Sequence, residues 1–352
     1  MNYIYSDIYL QKESEEWKKQ DVLGIDLECE NNLHHYGVYL CLIQISSRDK
    51  DWIVDPLQIK DLTPVVEMLE NPKIQKIFHD VDFDFRMLDY ELKCHPKNIF
   101  DTQVATKLLG KKDLGLSSLL EEYFNVKKTK FQKADWTKRP LPKKMLDYAI
   151  RDTKYLVEVK NRLEKELKDK NRLSWAEEEF KHIEGKNWEL HQFSFMDMKG
   201  ITKMSDNERA ILKNLYELRE RLAKKVDRPF HFIIHNKKLI ELAKNPPTLE
   251  QWKTMKGVHP IVKKKAELFY DTVEKGKKQK LKIPKEEYKR FTKKQREDYK
   301  KLEEVRAEIS KKIKIEPSLI LNKDQMREIV KGNLKPLMMW QTRLLDKYQN
   351  SL

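Results

Sequence analysis

Val22-Leu-Gly-Ile-Asp26-Leu-Glu28-Cys-Glu30 is the stretch around which the rest of the chain is organised. It has the composition of a buried strand, yet it carries acids at alternate positions. Side chains on a strand alternate between faces, so Asp26 and Glu28 share one face while Ile25 and Leu27 share the other. Charges on a buried face are costly unless a cation compensates them. Taken alone, the stretch favours a half-exposed edge strand with a solvated acidic face, and the acids further along the chain reverse that preference.

Composition limits the class of protein. The chain has 352 residues, enough for two or three domains, and its net charge of +15 favours a polyanionic partner. Three cysteines without Cys-x-x-Cys spacing argue against a disulfide framework or a zinc site. The sequence shows neither a signal-peptide pattern nor an apolar run of the roughly 20 residues that a membrane span needs. We expect a cytoplasmic protein with no membrane partner.

Hydrophobic periodicity predicts two halves of different class. Closely spaced strands at 22–29, 39–46 and 51–54 predict an antiparallel meander, and a fourth strand at 74–79 alternates with helices at 62–70, 83–92, 101–109, 116–123 and 144–167. This order is typical of an α/β layer with a mixed sheet. Beyond residue 200 the pattern is helical only, at 207–226, 236–244, 249–255, 261–274 and 293–313. A domain boundary is therefore expected within 170–205.

Two further segments supply acids. Asp84 opens the helix after the fourth strand, where the positive end of the helix favours a carboxylate. Tyr148 and Asp152, at i and i+4, lie on one side of a later helix. Each feature by itself has an ordinary structural explanation, a helix-terminal acid or a local hydrogen bond. Together with Asp26 and Glu28 they form the set needed to hold two divalent cations at a phosphoryl group, with a tyrosine to orient water.

The first ~165 residues resemble the four-acid (DEDD) 3′→5′ exonuclease superfamily, tyrosine subclass, in the manner of ribonuclease D. The matching stretches are Ile25–Glu28, Leu40–Ile45, Ile53–Leu57, Phe78–Leu88, Phe100–Gln103, Lys133–Leu141 and Tyr148–Asp152. The resemblance implies a ribonuclease H-like mixed sheet flanked by helices. It also implies that two Mg²⁺ or Mn²⁺ ions are held by Asp26, Glu28, Asp84 and Asp152, with Tyr148 positioning water. Asp80 and Asp82 depart from the small or polar residues expected beside Asp84.

The helical half resembles the helicase-and-RNase-D C-terminal (HRDC) domain. The matching stretches are Leu215–Ala223, Asp227–Pro229, Leu239–Leu242, Pro247–Leu249 and Met255–Val258. We expect an exonuclease domain over 1–170, a connector over 171–205, all-α HRDC over 206–282, and a basic helical region over 283–352. The last region weakly echoes the unit before it, and relatives of ribonuclease D often carry a second HRDC-like domain, which predicts one here.

Candidate nucleic-acid contacts fall in three places. Gln44 on the second strand either meets substrate or bonds inward, and Trp136, with Lys133 and Arg139, either contacts the RNA strand or fixes its own loop. Between Lys277 and Lys301, 12 Lys or Arg stand against 4 Asp or Glu, with aromatics interleaved. This segment predicts either a phosphate-binding stripe or a solvated helix face, and the first is favoured beside a nuclease. Its candidate residues are Lys277, Lys278, Lys280, Lys289 and Arg290.

The resemblance implies a metal-dependent, monomeric exoribonuclease that releases nucleoside 5′-monophosphates from RNA 3′ ends, with tRNA precursors the first expected substrates. One alternative keeps the fold and cleaves single-stranded DNA. Another is a catalytically silent RNA-binding adaptor, against which the presence of all four acids and the tyrosine argues.

Overall fold

A six-stranded mixed sheet forms the centre of the N-terminal half. The computed structural model describes residues 1–127, 131–284 and 290–349. The strands are β1 (Asn2–Ile4), β2 (Val22–Asn31), β3 (Val38–Ser46), β4 (Asp51–Val54), β5 (Gln75–Phe78) and β6 (Ile99–Asp101). Their order is β1-β4-β3-β2-β5-β6, with β2–β3 and β3–β4 antiparallel and the other pairs parallel. The predicted meander and mixed sheet are confirmed. The edge strands β1 and β6 are not predicted, because three residues are too few to show an alternation.

Eight helices cover this sheet. They are α1 (Asp7–Trp17), α2 (Thr63–Glu70), α3 (Val81–Leu92), α4 (Thr102–Leu109), α5 (Leu116–Phe124), α6 (Lys143–Lys154), α7 (Leu156–Asp169) and α8 (Leu173–Gly185). The single helix predicted over 144–167 is instead two helices, because the helix is interrupted at Tyr155, between α6 and α7. Among the described residues no helix combines the length and apolarity that crossing a membrane requires.

The break between α6 and α7 sits directly on β2. A Cβ added at Gly24 would lie 2.8 Å from the Thr153 carbonyl oxygen and 3.0 Å from the Leu156 Cβ, so only glycine lets helix and strand approach this closely. The Ser46 hydroxyl, on the neighbouring strand, hydrogen-bonds the Thr153 hydroxyl at 2.7 Å. Since Gly24 shares a face with the acids of β2, this contact brings the end of α6 above those acids.

The described residues of the C-terminal half form ten α-helices in a repeated arrangement. The helices are α9 (Asp206–Val226), α10 (Phe230–Ile233), α11 (Asn236–Lys244), α12 (Leu249–Thr254), α13 (Pro260–Lys264), α14 (Ala266–Lys277), α15 (Lys293–Ile313), α16 (Pro317–Ile320), α17 (Lys323–Ile329) and α18 (Met339–Gln349). The helices α9 and α15 have the same length, 21 residues. Each begins with a capping box and is followed by a non-glycine residue with positive φ. A four-residue helix and a capped third helix then follow in each case.

The repeat keeps a constant offset of 87 residues, from Ser205 to Thr292 at the start of the long helices. It extends to a specific hydrogen bond: Arg219 donates to the Ile234 carbonyl at 3.0 Å, and Arg306 donates to the Leu321 carbonyl at 3.1 Å. Buried apolar positions also correspond, as in the pairs Leu215 and Leu302, Leu222 and Ile309, Ile233 and Ile320, and Leu239 and Met326. We call residues 205–244 and 292–331 the first and second helical repeats.

Both repeats contact the N-terminal half through the same corner, the C-terminal end of the long helix. Asp227, after α9, accepts hydrogen bonds from the His35 ring at 2.6 Å and from the Tyr36 backbone at 3.2 Å. After α15, the Ile313 carbonyl accepts a hydrogen bond of 2.6 Å from Arg172. A stack of Trp175 on Trp340, with ring centroids 4.9 Å apart, adds α18 to this second contact.

Candidate active site

Asp26 and Glu28 lie on the face of β2 that α6 covers. Their strand pairs antiparallel with β3, where Asp26 is opposite Gln44 and Glu28 opposite Leu42. A β-bulge follows between Glu28 and Cys29, so the alternation is interrupted just beyond the second acid. The two carboxylates therefore stay side by side at the covered face, as the alternation predicts.

Asp84 is held at the start of α3. The Asp101 carboxylate accepts hydrogen bonds from the backbone of Asp80 and Val81, which fixes the beginning of that helix. The next residue, Phe85, packs edge-on against Phe78 of β5 with ring centroids 5.2 Å apart. Asp84 is consequently buried and faces β2. Asp101 also accepts from the first N–H groups of α4, so it is the helix cap that its sequence position suggests.

The neighbouring acid Asp82 does not face the site. It pairs with Arg86 at 2.9 Å, and its side chain is 60% exposed. Asp80 does line the cavity beside Asp26 and Glu28, which we call the catalytic cavity. Its φ of 66° is uncommon for a residue other than glycine. Of the two acids found where the resemblance predicts small or polar residues, Asp80 is therefore the one that lines the cavity.

Asp152 and Tyr148 come from successive turns of α6, on the same side of that helix. Asp152 accepts a hydrogen bond of 2.9 Å from Arg151, whose guanidinium lies 4.8 Å from the centre of the Tyr148 ring. The same ring packs between Phe131 and Trp136, at centroid distances of 5.8 and 6.0 Å. The tyrosine hydroxyl is thus held at the rim of the acidic cluster.

The structure brings the four acids together. Ligand oxygens of Asp26, Glu28 and Asp152 all lie within 4.8 Å of one another. Burial raises the pKa of Asp26 well above its usual range, and the charges of Asp84, Glu28 and Asp152 raise it further. Burial and the charges of Asp152 and Asp84 do the same for the pKa of Glu28. The pKa of Asp84 is raised to about 8, by burial and then by Asp101 and Asp80.

Such a cluster of buried oxygen donors fits a divalent cation. Carboxylate oxygens are the ligands that Mg²⁺ and Mn²⁺ prefer, and mutual repulsion disfavours the ionised cluster when no positive charge compensates it. The pKa of Asp152 is raised as well, since burial outweighs the hydrogen bonds from Arg151 and Tyr148. Arg151 pairs with Asp152, at the edge of the cluster, and a divalent cation is the natural counter-charge for the cluster as a whole.

The catalytic cavity has a volume of about 430 Å³. Several residues that line it were not among the predicted functional residues. Gly115, Ser117 and Ser118 at the start of α5 line it, and so do Gln103 and Gln132. A Gly-Leu-Ser-Ser sequence opening a helix was the available signal for the first group. His79 lines the cavity too, with Nδ1 2.8 Å from the Thr102 hydroxyl, and burial lowers its pKa.

Three of the predicted nucleic-acid contacts have surroundings inside the domain. Gln44 is fully buried beside Asp26, and Trp136 is 1% exposed, packed against Tyr148 and Leu141. Arg139 is 19% exposed and forms a two-point ion pair with buried Asp55, at 2.6 and 2.7 Å. These positions favour the second alternative given for each of Gln44 and Trp136, and contact of the three residues with RNA stays a prediction.

The remaining predicted contacts are basic residues at the surface. Lys133 is exposed next to Gln132 of the cavity wall. Lys277, Lys278 and Lys280 are exposed at and beyond the end of α14, and Lys277 pairs with Glu274 at 2.7 Å. Arg290 is exposed, and Lys289 lies outside the described residues. Their contact with RNA stays a prediction.

Comparison with known proteins identifies the domains. Residues 1–168 match the family model described as 3′-5′ exonuclease, and residues 208–273 match the HRDC domain. The first 168 residues are thus a 3′–5′ exonuclease domain, and an HRDC domain follows it. Ribonuclease D of Desulfotalea psychrophila is 30% identical over 236 residues, which cover 65% of this chain and 63% of that protein. The predicted resemblance to ribonuclease D with an HRDC domain is confirmed.

Other relatives extend this picture. Exosome complex exonuclease RRP6 of Saccharomyces cerevisiae is 30% identical over 271 residues, 70% of this chain and 36% of that protein. The chain thus spans about a third of the length of that relative. The crystal structure of Escherichia coli RNase D, an exoribonuclease involved in structured RNA processing, superimposes with a TM-score of 0.71. It is 22% identical and covers 99% of this chain and 100% of its own, so the exonuclease and helical domains share its fold.

Proposed function

We propose that the protein is a metal-dependent 3′→5′ exoribonuclease that releases nucleoside 5′-monophosphates from RNA. The observation that carries this proposal is the convergence of Asp26, Glu28, Asp84 and Asp152, from three separate elements, beside the Tyr148 hydroxyl. Ribonuclease D and RRP6 are the relatives that support RNA as the substrate. Escherichia coli RNase D is described as processing structured RNA, and we extend that class to this chain, with tRNA precursors the first candidates.

The four carboxylates would hold two divalent cations, Mg²⁺ or Mn²⁺. When bound there, the cations would stabilise the negative charge that develops on the phosphate during in-line displacement. The pKa of Tyr148 is raised above its usual value, by burial and then by the charges of Asp152 and Glu28. Its hydroxyl therefore keeps its proton and orients the attacking water through a hydrogen bond. Arg151 and Trp136 hold the tyrosine in place for that task.

We also propose that the second helical repeat is a second HRDC-like domain, within the basic region 283–352. The constant offset of 87 residues and the matching Arg219 and Arg306 hydrogen bonds support this assignment. The domain limits 1–170, 171–205 and 206–282 belong to the same proposal. Two helical units beside the catalytic cavity would hold the body of a structured RNA while a single-stranded 3′ end enters.

Release of mononucleotides from a 3′-tailed RNA, with a DNA of the same sequence alongside, tests the function. Asp84→Asn should lower the rate by at least about 10²-fold, because it removes a carboxylate from the metal cluster. Asp82→Asn is the matched control: it lies two residues away, is exposed and should leave the rate unchanged. Equal activity of Asp84→Asn and the unmodified protein would show that the activity arises elsewhere.

A further inference from the structure

A second cavity, of about 680 Å³, lies between the exonuclease domain and the first helical repeat. Aromatic side chains from both sides line it: Tyr36, Tyr90 and Phe193 from the first 200 residues, and Tyr216 and Phe230 from the helical repeat. We call this cavity the aromatic cleft. Asparagine and glutamine residues, among them Asn31 and Gln192, line the cavity as well. Aromatic faces with amide groups between them are suited to unpaired nucleobases.

The rings of Phe193 and Phe230 are parallel to within 2°, with centroids 6.4 Å apart. A base stacked between two rings needs about 6.8 Å between the ring planes, twice the spacing of about 3.4 Å between stacked bases, so the two rings would have to move apart to admit one. Both rings are already held in place: Tyr216 donates a hydrogen bond of 2.6 Å to the Phe193 carbonyl, and the Arg219 guanidinium lies 4.7 Å from the Phe230 ring centre.

The two helical repeats show that the fold does not require these aromatics. The residues that build the repeat recur at the offset of 87, such as Arg219 and Arg306. The residues of the cleft do not. Tyr216, Phe230 and His231 correspond to Glu303, Pro317 and Ser318 in the second repeat. The aromatic side chains therefore belong to a task of the first repeat alone.

The aromatic cleft lies at the end of β2, the strand that carries Asp26 and Glu28. Asn31 lines it and lies three residues beyond Glu28 on β2, roughly 10 Å at the rise of a strand. A strand whose 3′ end occupied the catalytic cavity could reach the cleft with nucleotides a few positions upstream. The acid in the cleft, Glu220, is paired with Arg219 at 3.0 Å, so its charge is compensated.

We infer that the aromatic cleft binds an unpaired base of the RNA strand, a few nucleotides upstream of the 3′ end, between Phe193 and Phe230. This inference rests on the proposed exoribonuclease function, whose substrate it describes further. The cleft would select RNAs with a single-stranded tail long enough to span both cavities.

Phe193→Leu and Phe230→Leu remove an aromatic face while keeping an apolar side chain. The control is Phe232→Leu, in the same short helix but 56% exposed and outside the cleft lining. Binding of the full-length protein to a 12-nucleotide RNA is measured in EDTA, with a single abasic nucleotide placed in turn at positions three to eight from the 3′ end. One position should bind roughly 5- to 150-fold more weakly when abasic, the range expected for one stacked base.

In both cleft variants the intact RNA should bind more weakly, and that abasic penalty should disappear, whereas Phe232→Leu should retain both. A purely structural role would weaken binding at all positions and leave the abasic penalty in place. The inference is overturned if no position shows a penalty, or if the penalty persists in the variants. Thermal unfolding checks each variant, and the 40% exposed Phe193 carries the test should Phe230→Leu fail to fold.

A dinucleotide RNA, which lacks every position of the abasic scan, separates this inference from the proposed function. Wild type and both cleft variants should release mononucleotides from it equally in the presence of Mg²⁺ or Mn²⁺. If the wild type releases none, the proposed function fails, whatever the abasic scan shows. If all release them but the abasic scan is flat, the inference about the cleft alone fails.

Discussion

Replacing Arg139 with methionine should destabilise the exonuclease domain without removing an RNA contact. The guanidinium makes two hydrogen bonds to Asp55 and one each to the carbonyls of Trp136, Lys138 and Cys41. The Asp55 side chain is 0% exposed, so its charge would stay in the interior with hydrogen bonds from Tyr3 and Gln58 but without its cationic partner. Breaking a buried pair from one side costs about 3–5 kcal/mol. The expected loss in the free energy of unfolding is of that size.

Urea denaturation at pH 7 measures this loss, as a shift in midpoint at unchanged slope. Lys138→Met is the matched control in the same loop: its side chain is 75% exposed, and it should cost less than about 0.5 kcal/mol. The RNA affinity of folded Arg139→Met should equal that of the wild type. A loss below about 1 kcal/mol, accompanied by weaker RNA binding, would refute the interpretation of Arg139 as a structural residue.

The pH dependence of the same pair gives a second check. Burial raises the pKa of Asp55, but hydrogen bonds from Arg139, Tyr3 and Gln58 outweigh it, so the pKa is lowered overall. The pair therefore contributes stability above the unfolded-state pKa of about 3.9, and this contribution is lost as pH falls through the folded pKa. In Arg139→Met, burial should raise the pKa of Asp55. The difference in stability between wild type and variant should then shrink between pH 7 and pH 4.

Three further predictions concern other parts of the molecule. Asp152→Asn should abolish mononucleotide release. In EDTA the variant should nevertheless have a higher melting temperature than the wild type, because one carboxylate fewer repels the others. Mg²⁺ or Mn²⁺ should then stabilise only the wild type. Gly24→Ala should cost about 1–3 kcal/mol and most of the activity, since its Cβ would displace the Thr153 carbonyl 2.8 Å away; urea denaturation and an activity assay check this. Burial raises the pKa of Glu179, beside Trp340, to about 7. Stability should therefore fall from about pH 4.5 to pH 7, and Glu179→Gln, compared by thermal unfolding, should flatten that fall.

The acids of the active site were predictable because each is tied to a local pattern. Alternation on β2 places Asp26 and Glu28 on one face, and helical spacing places Tyr148 beside Asp152. These short-range rules do not depend on the rest of the fold. They named the residues but not the distances between them, which depend on how closely α6 approaches β2 at Gly24.

Side chains whose role depends on distant partners were predicted poorly. A loop containing Trp136 and Arg139 looks solvent-facing in sequence, yet Arg139 finds Asp55, 84 positions earlier, and Trp136 packs against Tyr148. Gln44 is polar on a strand, and only the helix laid across that strand buries it.

The class of each half, the acids and the tyrosine could be predicted without coordinates, because strand alternation, helix spacing and family motifs are local. Which basic and aromatic side chains remain at the surface follows from the packing of the whole chain, as does the contact of both helical repeats with the exonuclease domain through equivalent corners. That packing also forms the aromatic cleft, whose walls come from segments more than 100 residues apart, such as Tyr36 and Tyr216. Burial and contact between such segments depend on the whole packed chain, so no local pattern encodes them.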